Sequence, residues 1–306
     1  MSAHAAVWPA RLPFQITPPA TSLWTNLAIS ALRYPDKAAL VFMGRVWTYP
    51  ALLACAEQLA REMAVLGVKS GDRVAIGMQN CPQWVIAHFA VFRLDAVVVP
   101  VNPMNRAEEL KHYITDPDTC LAITTADLAA EWVQASDALP LEQRLKHLLV
   151  TQFTDVFEAE TVGFEDLPET WRAWLLPVRA LPSLQNGQVH AWGEWMSRPV
   201  EADLPATQAG PNDLAVLPYT SGTTGLPKGC MHTHATLMHN AMASGLWGTG
   251  TSENVTLCAV PMFHITGMVS VMHTSILLGA SLVIMPRWDR DVAGHLISKW
   301  GVTHWT

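Results

Sequence analysis

Short apolar runs alternate with amphipathic stretches along most of the chain, and the two kinds of segment follow different periods. Ala38–Met43, Arg73–Met78, Val97–Val101 and Leu121–Thr124 are brief and almost wholly apolar, the pattern of strands buried on both faces. Between them the period lengthens. Thr48 is placed to cap a helix that carries Leu52, Leu53, Ala56, Leu59, Ala60, Met63 and Leu66 on one face and ends at Gly67. Pro82–Phe92 and Ala107–Ile114 repeat the helical period. Strand and helix in alternation predict an α/β fold in which mostly parallel sheets are flanked by helices on both faces. Leu148–Thr151 would close the first sheet.

From Thr154 to Pro211 the pattern becomes irregular, rich in Pro and Trp, with turns expected at Asn186-Gly187 and Gly210-Pro211. A boundary is expected in this stretch, giving a first α/β subdomain with an irregular tail over 1–180 and a second over 181–306. Alternation resumes with strand Leu214–Leu217, a helix from about Thr233 to Trp247, strand Val255–Val260, helix Ile265–Leu278, strand Ser281–Met285 and helix Asp291–Trp300. Met268–Pro286 has the length of a membrane span, but Gly279 divides it and His273, Thr274 and Ser275 interrupt it, so it reads as a buried helix followed by a strand and no transmembrane segment is expected. Val302–Thr306 looks like the start of a further strand, so the second subdomain is expected to be incomplete. An unpaired sheet edge there would favour self-association into a homo-oligomer.

Composition narrows the function classes. Half of the 306 residues are apolar and 15% are charged, which supports a well-buried globular protein. The net charge of -7 and the lack of a basic run argue against nucleic acid as a partner. Five scattered cysteines without a C-x-x-C pair fit reduced thiols, and the first twenty residues lack the features of a signal or transit peptide, so the cytoplasm is the expected location.

The densest chemistry lies in YTSGTTGLPKG, Tyr219 to Gly229, directly after a predicted buried strand. A loop at the carboxyl end of a parallel strand lies where open α/β sheets bind ligands. Gly222, Gly225 and Gly229 let backbone N–H groups approach an anion, Thr220, Ser221, Thr223 and Thr224 add hydroxyls, and Lys228 adds a mobile positive charge. Phosphate oxygens match that set. A solvated turn of the same composition is commoner in general, but it leaves the placement after a strand unexplained. A P-loop NTPase requires Gly-Lys-Ser/Thr opening a helix, whereas Lys228 lies between Pro227 and Gly229; the glycines also miss the G-x-G-x-x-G spacing of a dinucleotide fold.

YTSGTTGLPKG resembles the phosphate loop of the adenylate-forming superfamily, which includes acyl-CoA synthetases, aryl-CoA ligases, luciferases and peptide-synthetase adenylation domains. The similarity extends through RYPDKAALVF, WTYPALL, GDRVAIGMQN, VPVNP and GCMHTHATL in order. It implies the N-terminal domain of acyl-CoA synthetase type, with two doubly wound sheets, and an activity in which a carboxylic acid and ATP with Mg²⁺ give an acyl-adenylate, then an acyl-CoA thioester with coenzyme A. By the same resemblance Thr220, Ser221, Gly222, Thr223, Thr224, Gly225 and Lys228 would bind the nucleotide phosphates. Mg²⁺ would arrive mainly with the nucleotide, leaving no metal ligand to be named on the chain.

PMFHITG, Pro261 to Gly267, resembles the family segment bordering the acyl pocket, with His264 between nucleotide and carboxylate as the candidate catalytic residue in a positioning role. Relatives that activate amino acids carry an acidic residue in this segment, so His264 points to a fatty, medium-chain or aryl acid. Met268, Val271, Met272 and Leu278 could line a hydrocarbon pocket or simply pack the core. His232, His234 and His239 form no convincing metal set, since His234 falls in the Thr-His pair that follows the family loop and has no acidic or Cys ligand beside it. The family's adenine and ribose segments, its hinge and its C-terminal lid domain with the adenylating lysine find no match before Thr306, so the chain is expected to be an N-terminal fragment with little activity alone. The alternative is a truncated non-catalytic paralogue that binds nucleotide or a partner.

Overall fold

The computed structural model describes residues 7–157, 160, 162–163, 165–220 and 225–306. Helix α1 (Trp24–Arg33) leads into the hairpin β1 (Ala38–Phe42) and β2 (Arg45–Thr48). Its two-residue turn has positive φ at Met43 (48°) and Gly44 (78°), the backbone twist that joins antiparallel strands most directly. Thr48 then caps α2 (Tyr49–Val65), its side chain accepting the Ala51 N–H at 3.3 Å. Strict alternation follows: β3 (Arg73–Gly77), α3 (Pro82–Arg93), β4 (Val97–Pro100), α4 (Ala107–Thr115), β5 (Thr119–Thr125), α5 (Ala129–Asp137) and β6 (His147–Thr151). The stretch read as irregular contains α6 (Glu169–Leu175), β7 (Gln188–Ala191) and α7 (Trp192–Ser197). Beyond it come β8 (Leu214–Val216), β9 (Tyr219–Thr220), β10 (Lys228–Gly229), β11 (His232–Thr233) and α8 (His234–Trp247). The chain continues through β12 (Val255–Cys258), a π-helical segment (Thr266–His273) running into α9 (Thr274–Leu278), β13 (Ser281–Ile284), α10 (Arg290–Trp300) and β14 (His304–Trp305).

Two larger sheets result. The seven-stranded sheet has the order β11-β8-β4-β3-β5-β6-β7 and is parallel except for β11. Its side chains alternate between two cores, Val74 and Ile76 entering one and Ala75 the other, as expected for a sheet covered on both faces. The five-stranded sheet, β14-β12-β13-β1-β2, is parallel except for β2. One core joins the sheets: it takes Leu40 from β1, Val283 from β13 and Ile123 from β5, together with α3, which is buried from Pro82 to Phe92.

The sheets are interleaved in sequence. β1 and β2 belong with β12–β14, while β8 and β11 join the sheet built by β3–β7. Strands on each side of residue 180 therefore serve both sheets. The long apolar stretch is the expected helix followed by a strand, with Gly279 at φ 73° ending α9, and no helix among the described residues is long and apolar enough to cross a membrane.

Candidate nucleotide site

Past the carboxyl end of β8 the chain forms a narrow hairpin. β9 and β10 pair antiparallel, setting Thr220 opposite Lys228 and Tyr219 opposite Gly229. The Cys230 N–H donates to the Pro218 carbonyl at 2.9 Å and closes its base. Ser221, Gly222, Thr223 and Thr224 lie outside the described residues. Thr220, Gly225 and Lys228 are exposed, and a Cβ added at Gly225 would meet no atom within 4 Å. An exposed hydroxyl, an open backbone and an exposed ammonium group on β10 suit an incoming polyphosphate.

His264 is placed by the ends of the other sheet. Asn80 follows β3, is buried, and binds the segment leaving β12: its amide donates to Val260 O at 3.0 Å, and its carbonyl accepts the Met262 N–H at 2.7 Å. A further donation to Met285 O at 3.3 Å ties in the end of β13. Gly267 permits the next step, since a Cβ there would lie 2.2 Å from Pro261 O. The π-helical backbone can thus approach the turn that presents His264, which itself accepts the Thr266 N–H on Nδ1 at 3.4 Å.

A cavity of about 400 Å³ joins these parts, lined by Asn102, Tyr113, Thr220, Pro227, Phe263 and His264 among others. Thr220 and His264, far apart in sequence, thus share one space; Gly225 and Lys228 are not among its lining residues. Tyr219 donates its hydroxyl to the Asp116 carboxylate, and burial, reinforced by that negative neighbour, pushes its pKa upward, so it stays a neutral donor.

The histidines near the loop do not converge. His234 is buried with Nδ1 accepting the Leu23 N–H at 3.1 Å, and burial pushes its pKa down to about 4. His232 lines the shared cavity, whereas His239 lines a different one beside Trp8 and Trp247. Met268, Val271 and Met272 are fully buried in the common core, while Leu278 borders a separate space beside α8. Sequence reasoning gave no role to Asn80, His112 or Asp116, because a single polar residue at a strand or helix end carries no periodic signal.

Two mixed sheets sharing one core are a fold that the protein shares with solved CoA ligases. A long-chain-fatty-acid-CoA ligase from Archaeoglobus fulgidus superposes with TM-score 0.72 at 22% identity, over 95% of this chain and 52% of its own. The anthranilate CoA ligase crystallised with anthranoyl-AMP also gives 0.72, at 22% identity, over 94% of this chain and 50% of its own. Residues 27–306 match the AMP-binding enzyme family, and the chain belongs to it. The long-chain-fatty-acid–CoA ligase of Bacillus subtilis is 30% identical over 287 residues, 93% of this chain and 50% of that protein. The chain spans about half the length of the curated relatives it matches.

Proposed function

We propose that this chain supplies the triphosphate site and part of the acid site of an adenylate-forming acid–thiol ligase. A carboxylate oxygen of the acid attacks the α-phosphorus of ATP, forming an acyl-phosphate bond as the bond to the β-phosphate oxygen breaks and pyrophosphate leaves. The sulfur of coenzyme A then takes the acyl group and AMP departs. Thr220, Ser221, Gly222, Thr223, Thr224, Gly225 and Lys228 hold the departing phosphates, with Mg²⁺ carried by the nucleotide; fixed donors around the leaving group stabilise charge as it develops. His264 positions the carboxylate. The observation that carries this reading is the cavity shared by Thr220 at the loop and His264 at the end of the other sheet.

The acid is proposed to be fatty, medium-chain or aryl. His264 offers no carboxylate to a substrate ammonium, and an unpartnered buried cation would be strongly disfavoured. Five unpaired thiols suit the reducing cytoplasm, the location proposed here. The 306 residues cover about half the length of related ligases, so slight turnover is expected of this chain alone and nucleotide uptake is the direct test. Calorimetry should show MgATP binding that weakens at least about tenfold in Lys228→Ala, the loss expected for a charge-assisted phosphate contact. Equal binding by the variant and the parent chain would end this assignment.

A further inference from the structure

The hairpin that carries the loop is held from one side by the last turns of α4. His112 and Asp116 are one helical turn apart and so share a face. On the return arm, His112 Nε2–H donates to the Pro227 carbonyl at 2.7 Å. On the outgoing arm, Asp116 accepts the Tyr219 hydroxyl. The Tyr219 ring lies 4.7 Å from that of Tyr113 and edge-on to His112 at 5.4 Å and 85°. Gly229 completes the fit, since a Cβ there would come within 3.3 Å of the Tyr219 ring.

The helix is itself well fixed. The Arg106 and Ala107 N–H groups at its start donate to Glu109 at 2.8 Å and to Glu131 at 2.9 Å, and Leu110 and Ile114 are buried in the core against the sheet. The Pro227 carbonyl and the Lys228 N–H belong to one planar peptide. A bond that fixes the carbonyl therefore fixes the direction of the Lys228 N–H and the position of its Cα.

We propose that His112 is a positioning residue of the loop: with the Tyr219–Asp116 bond it orders both arms of the hairpin before nucleotide arrives. This rests on the reading of the loop as a triphosphate site. Ordering the two arms beforehand removes part of the entropy otherwise lost on binding, so nucleotide affinity follows the strength of the two ties.

The test compares His112→Phe, which keeps a ring against Tyr219 but removes the donor, with His112→Gln, which restores one. Hydrogen exchange of the unliganded 306-residue protein is expected to be about tenfold faster at the amides of Tyr219, Lys228 and Cys230 in His112→Phe, with β3 and β5 unchanged. MgATP affinity should fall about five- to tenfold, the loss expected for one hydrogen bond, and His112→Gln should recover most of it. Tyr219→Phe, which leaves α4 intact, should give the same exchange signature and keeps the test open should His112→Phe fail to fold. Unchanged hairpin exchange in the foldable variants overturns the proposal, as does a glutamine variant no better than phenylalanine. Exchange that accelerates in a protein showing no MgATP uptake supports the tie and removes only the nucleotide reading.

Discussion

Asn80 shows how one side chain can matter without belonging to any pattern. Its amide holds the ends of β12 and β13 at once, and its carbonyl accepts a backbone N–H in the turn before His264. Replacing it by alanine removes these bonds and leaves the buried Met262 N–H without a partner. The expected loss is roughly 2–4 kcal/mol, seen as a lower urea midpoint with an unchanged slope. A midpoint within error of the parent chain would show that the turn is held by packing alone. Residue chemistry was legible at Thr48, whose cap has the expected geometry. It was not legible at Asn80 or His112, where meaning comes only from what lies opposite in space.

At the scale of elements, most of the regular strands and helices were readable because burial on a sheet and on a helix imposes distinct periods. Short pieces such as β7, β9, β10 and β11 were not, since two to four residues cannot establish a period. Nor does periodicity distinguish the π-helical segment from the α-helix it extends. That segment ends at His273, whose Nε2 lies 3.0 Å from Nε2 of His88 on α3; both rings are fully buried. Burial pushes the His88 pKa well below its usual value, with His273 and His234 adding to the effect, and pushes that of His273 down to about 3, with His234 adding. The folded protein thus binds fewer protons here than the unfolded chain. Stability from this pair is fully present above the unfolded pKa near 6.5 and falls as pH drops from there toward the depressed folded values. Thermal melts should decline between about pH 6.5 and 4, and His273→Gln should reduce that slope. Equal slopes would place the acid sensitivity elsewhere, with His234 the first candidate because its pKa is also held down, to about 4.

For the whole molecule, local patterns predict which segments are strands but carry no record of which strands meet. Linear order suggested one subdomain after another, yet β1 pairs with β13 through Leu40–Leu282 and Val41–Val283, across most of the chain. β8 returns to the first-built sheet beside β4 through Val98–Val216. Such pairings arise because apolar strands that cannot be covered locally find cover in a distant segment, and the common core around α3 makes each sheet part of the other's environment. This arrangement predicts one cooperative unit. Urea unfolding followed by backbone circular dichroism and by tryptophan fluorescence should give a single coincident transition, because Trp47 at the five-stranded sheet and Trp84 on α3 are buried in that same core. Leu40→Ala, which opens a cavity where β1 meets β13, should lower both signals' midpoint together by about 2–4 kcal/mol. Two separated transitions would mean that the sheets are stable independently, and the cavity between loop and His264 would then depend on their docking rather than on a shared fold.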